Sequence, residues 1–107
     1  AYADQHGLAR AYPDYQALID ADDVDAVYVA LPPSLHARWS IAALAAGKPV
    51  LCEKPFALTI ADAEGMVAAE AHHGGLLMEA QHSHYHPLAA HMRALVQSGA
   101  LGTLTQV

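Results

Sequence analysis

Ala26-Val27-Tyr28-Val29-Ala30-Leu31, stopped by Pro32-Pro33, is the stretch that decides the fold. A continuous, β-branched apolar run of this length suits a buried strand, and the two prolines end it. Ser34 then stands where a helix N-cap belongs, Leu35 to Ala46 is rich in helix formers, and Gly47 follows at a C′ position.

The same cycle repeats outward from there. Pro49-Val50-Leu51-Cys52 is a second short strand, ending at Glu53-Lys54-Pro55. Thr59 with Asp62 three residues on resembles a capping box. It opens a helix whose expected apolar face is Ile60, Ala63, Met66 and Val67. Gly65 interrupts that helix, and Gly74-Gly75 ends it. Leu76 to Ala80 reads as a third strand. Pro87 fits a first helical position, Leu88, Met92, Leu95 and Val96 form a stripe before Gly99, and Thr103 to Val107 reads as the start of a fourth strand. Upstream, Ala1 to Leu8 reads as the end of a helix already under way.

Apolar strands alternating with crossover helices predict an α/β class. The expected architecture is a partial, doubly wound, Rossmann-like parallel sheet with helices on both faces.

Composition narrows the function classes. The 107 residues carry 54% hydrophobic and 15% charged side chains, a globular balance. A formal charge of −6 with only five Lys and Arg argues against nucleic acid and anionic membranes as partners. Cys52 is the only cysteine, which suits a reducing compartment. No apolar run is long enough for a membrane span, so a cytoplasmic location is expected. Cys52, Trp39 and the methionines read most simply as core.

In an open parallel sheet, ligands sit beyond the carboxyl ends of the strands. Pro32-Pro33-Ser34, Glu53-Lys54-Pro55 and Gln81 to His86 are the segments expected there. The run Asp25 to His36, then Gly47-Lys48-Pro49-Val50-Leu51-Cys52-Glu53-Lys54-Pro55, resembles the Gfo/Idh/MocA oxidoreductases. Leu77 to Ala80, His86-Pro87 and Ser98-Gly99-Ala100-Leu101-Gly102 extend the resemblance over nearly the whole chain. It implies an NAD(P)-dependent oxidoreductase, with NAD or NADP as cofactor and a sugar-like or cyclic polyol or diol as substrate. It further implies that Lys54 is the catalytic residue, near the nicotinamide and the substrate hydroxyl. Glu53 would contact the nicotinamide ribose, and Leu31, Pro32, Pro33, His36 and Pro55 would border the cofactor. The chemistry stands independently. Hydride transfer from an alcohol requires loss of a hydroxyl proton, and a desolvated ammonium can orient that hydroxyl and exchange the proton.

Eight histidines remain. In an extended segment His82, His84 and His86 would share one face, a geometry that can hold a metal. No carboxylate or cysteine sits at ligand spacing among them, and no metal is expected. The resemblance instead puts His82 and His84 on the substrate side, where relatives often carry arginine. His36 reads either as a partly buried helix residue or as a cofactor neighbour.

No Gly-x-Gly-x-x-Gly occurs in the sequence. Residues 1–107 therefore read as a partial NAD(P)-binding domain without its glycine-rich strand-helix unit and without a C-terminal substrate domain. Alone it is expected to be inactive. The run Val27 to Leu31 would have an open edge, so self-association or marginal stability is expected, with a homo-oligomer in the full-length parent. Two other readings use the same residues: a non-catalytic ligand-binding protein on this fold, and a His-rich metal-binding protein.

Overall fold

Three short apolar segments pair in parallel in the structure, a computed structural model that describes residues 2–105. Helices α1 (Tyr2–His6) and α2 (Tyr15–Ile19) precede β1 (Val27–Val29). Then come α3 (His36–Ala45), β2 (Val50–Cys52), α4 (Ile60–His73), β3 (Leu77–Glu79) and α5 (Pro87–Gln97). The sheet order is β1-β2-β3, in a register that sets Tyr28 beside Leu51 and Cys52 beside Glu79. All three strand ends therefore open on one side, as parallel pairing requires.

Strand alternation decides what is core. Val27, Val29, Val50 and Cys52 turn inward against Ala43 and Leu44 of α3, Met66 of α4 and Ile19 of α2. Burying side chains of the size of Leu44 and Met66, both 0% exposed, contributes about 1.5–3 kcal/mol each. Local signals agree with this packing. Thr59 accepts from the Asp62 amide at 3.1 Å, and Gly74 leaves α4 with a positive φ of 68°. At the end of α3, Gly47 N–H donates to Leu44 O and Lys48 N–H to Ala43 O, the paired bonds of a glycine-ended helix.

Several elements differ from the sequence reading. Among the described residues the helices packed on the sheet, α2, α3 and α4, lie on one face; Tyr28, Leu51 and Met78 line the other and are 57%, 39% and 42% exposed. Ser34 does not cap α3. It lies inside a 3-10 turn, Pro33–Leu35, because Pro33 holds Pro32 in an extended conformation and starts a tight turn itself. Along α4, Ile60 and Val67 are exposed and only Met66 is fully buried. The helix leans on α3 through Gly65, where a Cβ would sit 3.7 Å from Ile41, and this rotates Ile60 and Val67 outward.

Helix α5 buries none of its residues, so the stripe of Leu88, Met92 and Val96 faces outward. The radius of gyration is accordingly 18.1 Å, against about 13 Å for a compact chain of this length. Met78 and Met92 are thus not core. Trp39 is partly buried, edge-on to Tyr15 with Arg38 stacked over it. Thr103, Leu104 and Thr105 form no strand, and the remainder of that expected strand, Gln106 and Val107, lies outside the described residues.

Candidate functional site

Beyond the carboxyl ends of β1, β2 and β3 the chain makes three turns. The second carries Glu53, Lys54 and Pro55, with a cis peptide bond between Lys54 and Pro55. Glu53 lies on the same side of the sheet as Leu51, two residues back, and so on the uncovered face. There its carboxylate meets Tyr28. The phenolic hydroxyl donates to Glu53 Oε1, and the Lys54 backbone N–H donates to Oε2 at 3.0 Å. Both oxygens thus have a donor, and each keeps accepting capacity for a further hydroxyl.

These contacts tune both groups. The Tyr28 hydrogen bond, then the Lys54 amide and the charges of Lys54 and His82, hold the Glu53 carboxyl below the usual carboxylate range. The same hydrogen bond pushes the Tyr28 phenol above its ordinary value.

Lys54 is exposed. Of the five Lys and Arg, Arg10 pairs with Asp23, Arg38 stacks on Trp39, Lys48 donates to Ala21 O and Val24 O, and Arg93 reaches His84 O. Among the described residues, neither Arg38 nor Lys54 makes a hydrogen bond or ion pair through its side chain; Arg38 is held against Trp39, and the Lys54 amine lies within electrostatic reach of Glu53.

His36 is 1% exposed. Its Nδ1 lies 2.9 Å from Pro55 O and its Nε2 2.8 Å from Leu31 O. Both partners are acceptors, so a ring with one N–H satisfies only one of them and the doubly protonated ring satisfies both. Both ring nitrogens thus face backbone carbonyls. His36 binds the strand-end segments themselves. On the other flank, Glu79 of β3 accepts the Phe56 N–H at 3.0 Å. Cys52 between them is fully buried, and burial pushes its thiol up, as fits a core residue rather than a nucleophile.

A cleft of about 420 Å³ opens on the uncovered face, lined by Tyr28, Leu51, Glu53, Met78, Glu79, Ala80, Gln81, His82 and Tyr85. That is within the range of small-molecule sites, and its floor is apolar with a few convergent polar groups. It gathers Glu53 and His82. Leu31, Pro32, Pro33, Lys54, Pro55 and His84 do not line it.

His82 and His84 lie in a 3-10 turn, His82–Tyr85, with His86 capping α5 through Nδ1. Three residues per turn send His82 and His84 in different directions, so the shared face of an extended segment does not form. Among the described residues no three His, Cys, Asp or Glu side chains are grouped to hold a metal. Sequence reading missed Tyr28 and Glu79. An acidic residue closing an apolar strand was the available signal for Glu79. Tyr28 became visible only through the register that sets it beside Leu51.

Comparison with known proteins bears on this arrangement. Residues 1–81 match the Gfo/Idh/MocA family model, described as an oxidoreductase family with an NAD-binding Rossmann fold. The chain is 41% identical over 104 residues to 1,5-anhydro-D-fructose reductase of Ensifer adhaerens, covering 95% of this chain and 31% of that protein. It is 42% identical over 96 residues to D-xylose 1-dehydrogenase (NADP(+)) of Hypocrea jecorina, covering 90% and 25%. In structure it resembles the aldose-aldose oxidoreductase of Caulobacter crescentus complexed with glycerol, with a TM-score of 0.82 at 41% identity, covering 94% of this chain and 31% of that one. The chain therefore spans about a third or less of the length of these relatives. No helix among the described residues is long and apolar enough to cross a membrane.

Proposed function

This chain belongs to the Gfo/Idh/MocA family of NAD-binding oxidoreductases, and from that premise we propose that it forms the nicotinamide side of an enzyme oxidising or reducing a sugar-like or cyclic polyol or diol. The observation that carries the reading is Lys54. It stands two residues beyond the central strand, and among the described residues its amine is the one Lys or Arg cation with no hydrogen bond, ion pair or aromatic ring against it.

The residues present fit a nicotinamide nucleotide, NAD or NADP. Glu53, held by Tyr28 and by the Lys54 amide, offers a fixed carboxylate to the ribose hydroxyls. Leu51, Met78 and Ala80 provide an apolar floor beside it. When bound, the nicotinamide accepts or returns the hydride. Lys54 orients the substrate hydroxyl and holds or returns its proton at Nζ as carbon–hydrogen bond cleavage proceeds. Because Lys54 is exposed, exclusion of water around its amine falls to the bound ligands. His82, the histidine of this pair that lines the cleft, faces the substrate side. The relatives' names, a fructose-derivative reductase and a xylose dehydrogenase, support a carbohydrate-like substrate class. No Gly-x-Gly-x-x-Gly turn occurs in the 107 residues, so the reading is confined to the nicotinamide side.

The test is Lys54→Ala in the full-length protein carrying this chain. Loss of a positioned proton-transfer group should lower kcat by about a hundredfold or more while cofactor affinity changes little. Turnover at the unaltered rate would remove Lys54 from the mechanism.

A further inference from the structure

We propose that Glu79 and His36 are positioning residues that clamp the Lys54 turn from opposite flanks and so set the aim of its amine. The proposal rests on the catalytic reading of Lys54 and names what holds that residue in place.

Lysine has a long, flexible stem, so where its amine can reach depends on how firmly its backbone is held. In this turn the polar backbone groups around Lys54 have separate partners. The Lys54 N–H is taken by Glu53 Oε2, the Pro55 carbonyl faces His36 Nδ1, and the Phe56 N–H is taken by Glu79 Oε1. The last two partners come from different elements. Glu79 ends β3, and its register against Cys52 delivers the carboxylate to the turn that follows β2. His36 opens α3, and its second ring nitrogen is pinned to Leu31 O beyond β1. The ends of all three strands are thus tied to one another through the residues flanking Lys54.

Neither side chain has an easier explanation in packing. His36 is buried and Glu79 half-buried, and a polar group withdrawn from water is costly unless it is hydrogen-bonded. Each finds its partner in the same short turn. Productive proton transfer tolerates only small errors in placement, and a displacement of about 1 Å can cost about a hundredfold in rate.

The experiment uses the full-length protein carrying this chain. Glu79→Met keeps the side-chain volume but has no strong acceptor for the Phe56 N–H, whereas Glu79→Gln retains an accepting oxygen. Glu79→Met should lower kcat by about tenfold or more, and Glu79→Gln should restore most of the loss. Amide exchange at Phe56 should accelerate by about tenfold in Glu79→Met while the β2 amides stay protected, which separates local release from unfolding. Folded Glu79→Met with unaltered kcat overturns the proposal, as does Glu79→Gln no better than Glu79→Met. In the unaltered protein the Phe56 amide should be protected although its turn is near the surface; free exchange there overturns the proposal without any variant. A fully active Lys54→Ala would instead defeat the catalytic reading, and Phe56 exchange would still report on the clamp by itself.

Discussion

Tyr28, in the middle of the first strand, donates its phenolic hydrogen to the Glu53 carboxylate beyond the end of the second. The bond favours the charged carboxylate and the neutral phenol, so it holds the Glu53 carboxyl down and the Tyr28 phenol up. A carboxyl held down in the fold contributes stability above its unfolded pKa and loses that contribution as pH falls through the folded value. Tyr28→Phe should therefore raise the Glu53 titration towards the ordinary carboxylate range. A carboxyl carbon titration by NMR reads this directly. An unmoved Glu53 would mean that the bond does not form in solution.

Cys52 should be inert in the folded protein. Its side chain is 0% exposed and its thiol is pushed up by burial, so the reactive thiolate is both scarce and inaccessible. Alkylation of the native protein should be slow and should accelerate steeply with denaturant, following unfolding. Rapid labelling of the native state would contradict the packing of β2 against α3.

Two glycines should respond in opposite directions to alanine. At Gly75 an added Cβ would sit 2.8 Å from Leu44 Cδ2, and Leu44 is fully buried with little room to move, so Gly75→Ala should destabilise by about 1–3 kcal/mol. At Gly65, in mid-helix, the nearest atom is 3.7 Å away, an ordinary contact, and alanine should stabilise by about 0.5–1 kcal/mol. Denaturant unfolding of the two variants measures both signs, and equal effects would refute the α3–α4 packing.

The 107-residue chain prepared alone should self-associate. Tyr28, Leu51 and Met78 leave one sheet face bare, β1 has no second strand neighbour among the described residues, and α5 exposes Leu88, Met92 and Val96. Light scattering should show species larger than one chain at micromolar concentration. A monomer with a sharp cooperative melt would count against this.

The parallel α/β plan was legible in the sequence because its signals are local. The first three strand runs, the Thr59 cap, and the glycines after α3 and α4 act within a few residues of themselves, and each appears where its pattern places it. Glu53-Lys54-Pro55 at a strand end followed from the same punctuation. Only the tertiary structure decided which residues meet. The rotation of α4 that buries Met66 and exposes Val67 depends on how closely Gly65 lets it approach α3. The Tyr28–Glu53 bond depends on strand register, and the ties of His36 and Glu79 to the Lys54 turn join residues 19 and 23 positions apart. Such contacts follow from the way helices and strands pack, and a run of residues read in order carries no direct record of that packing.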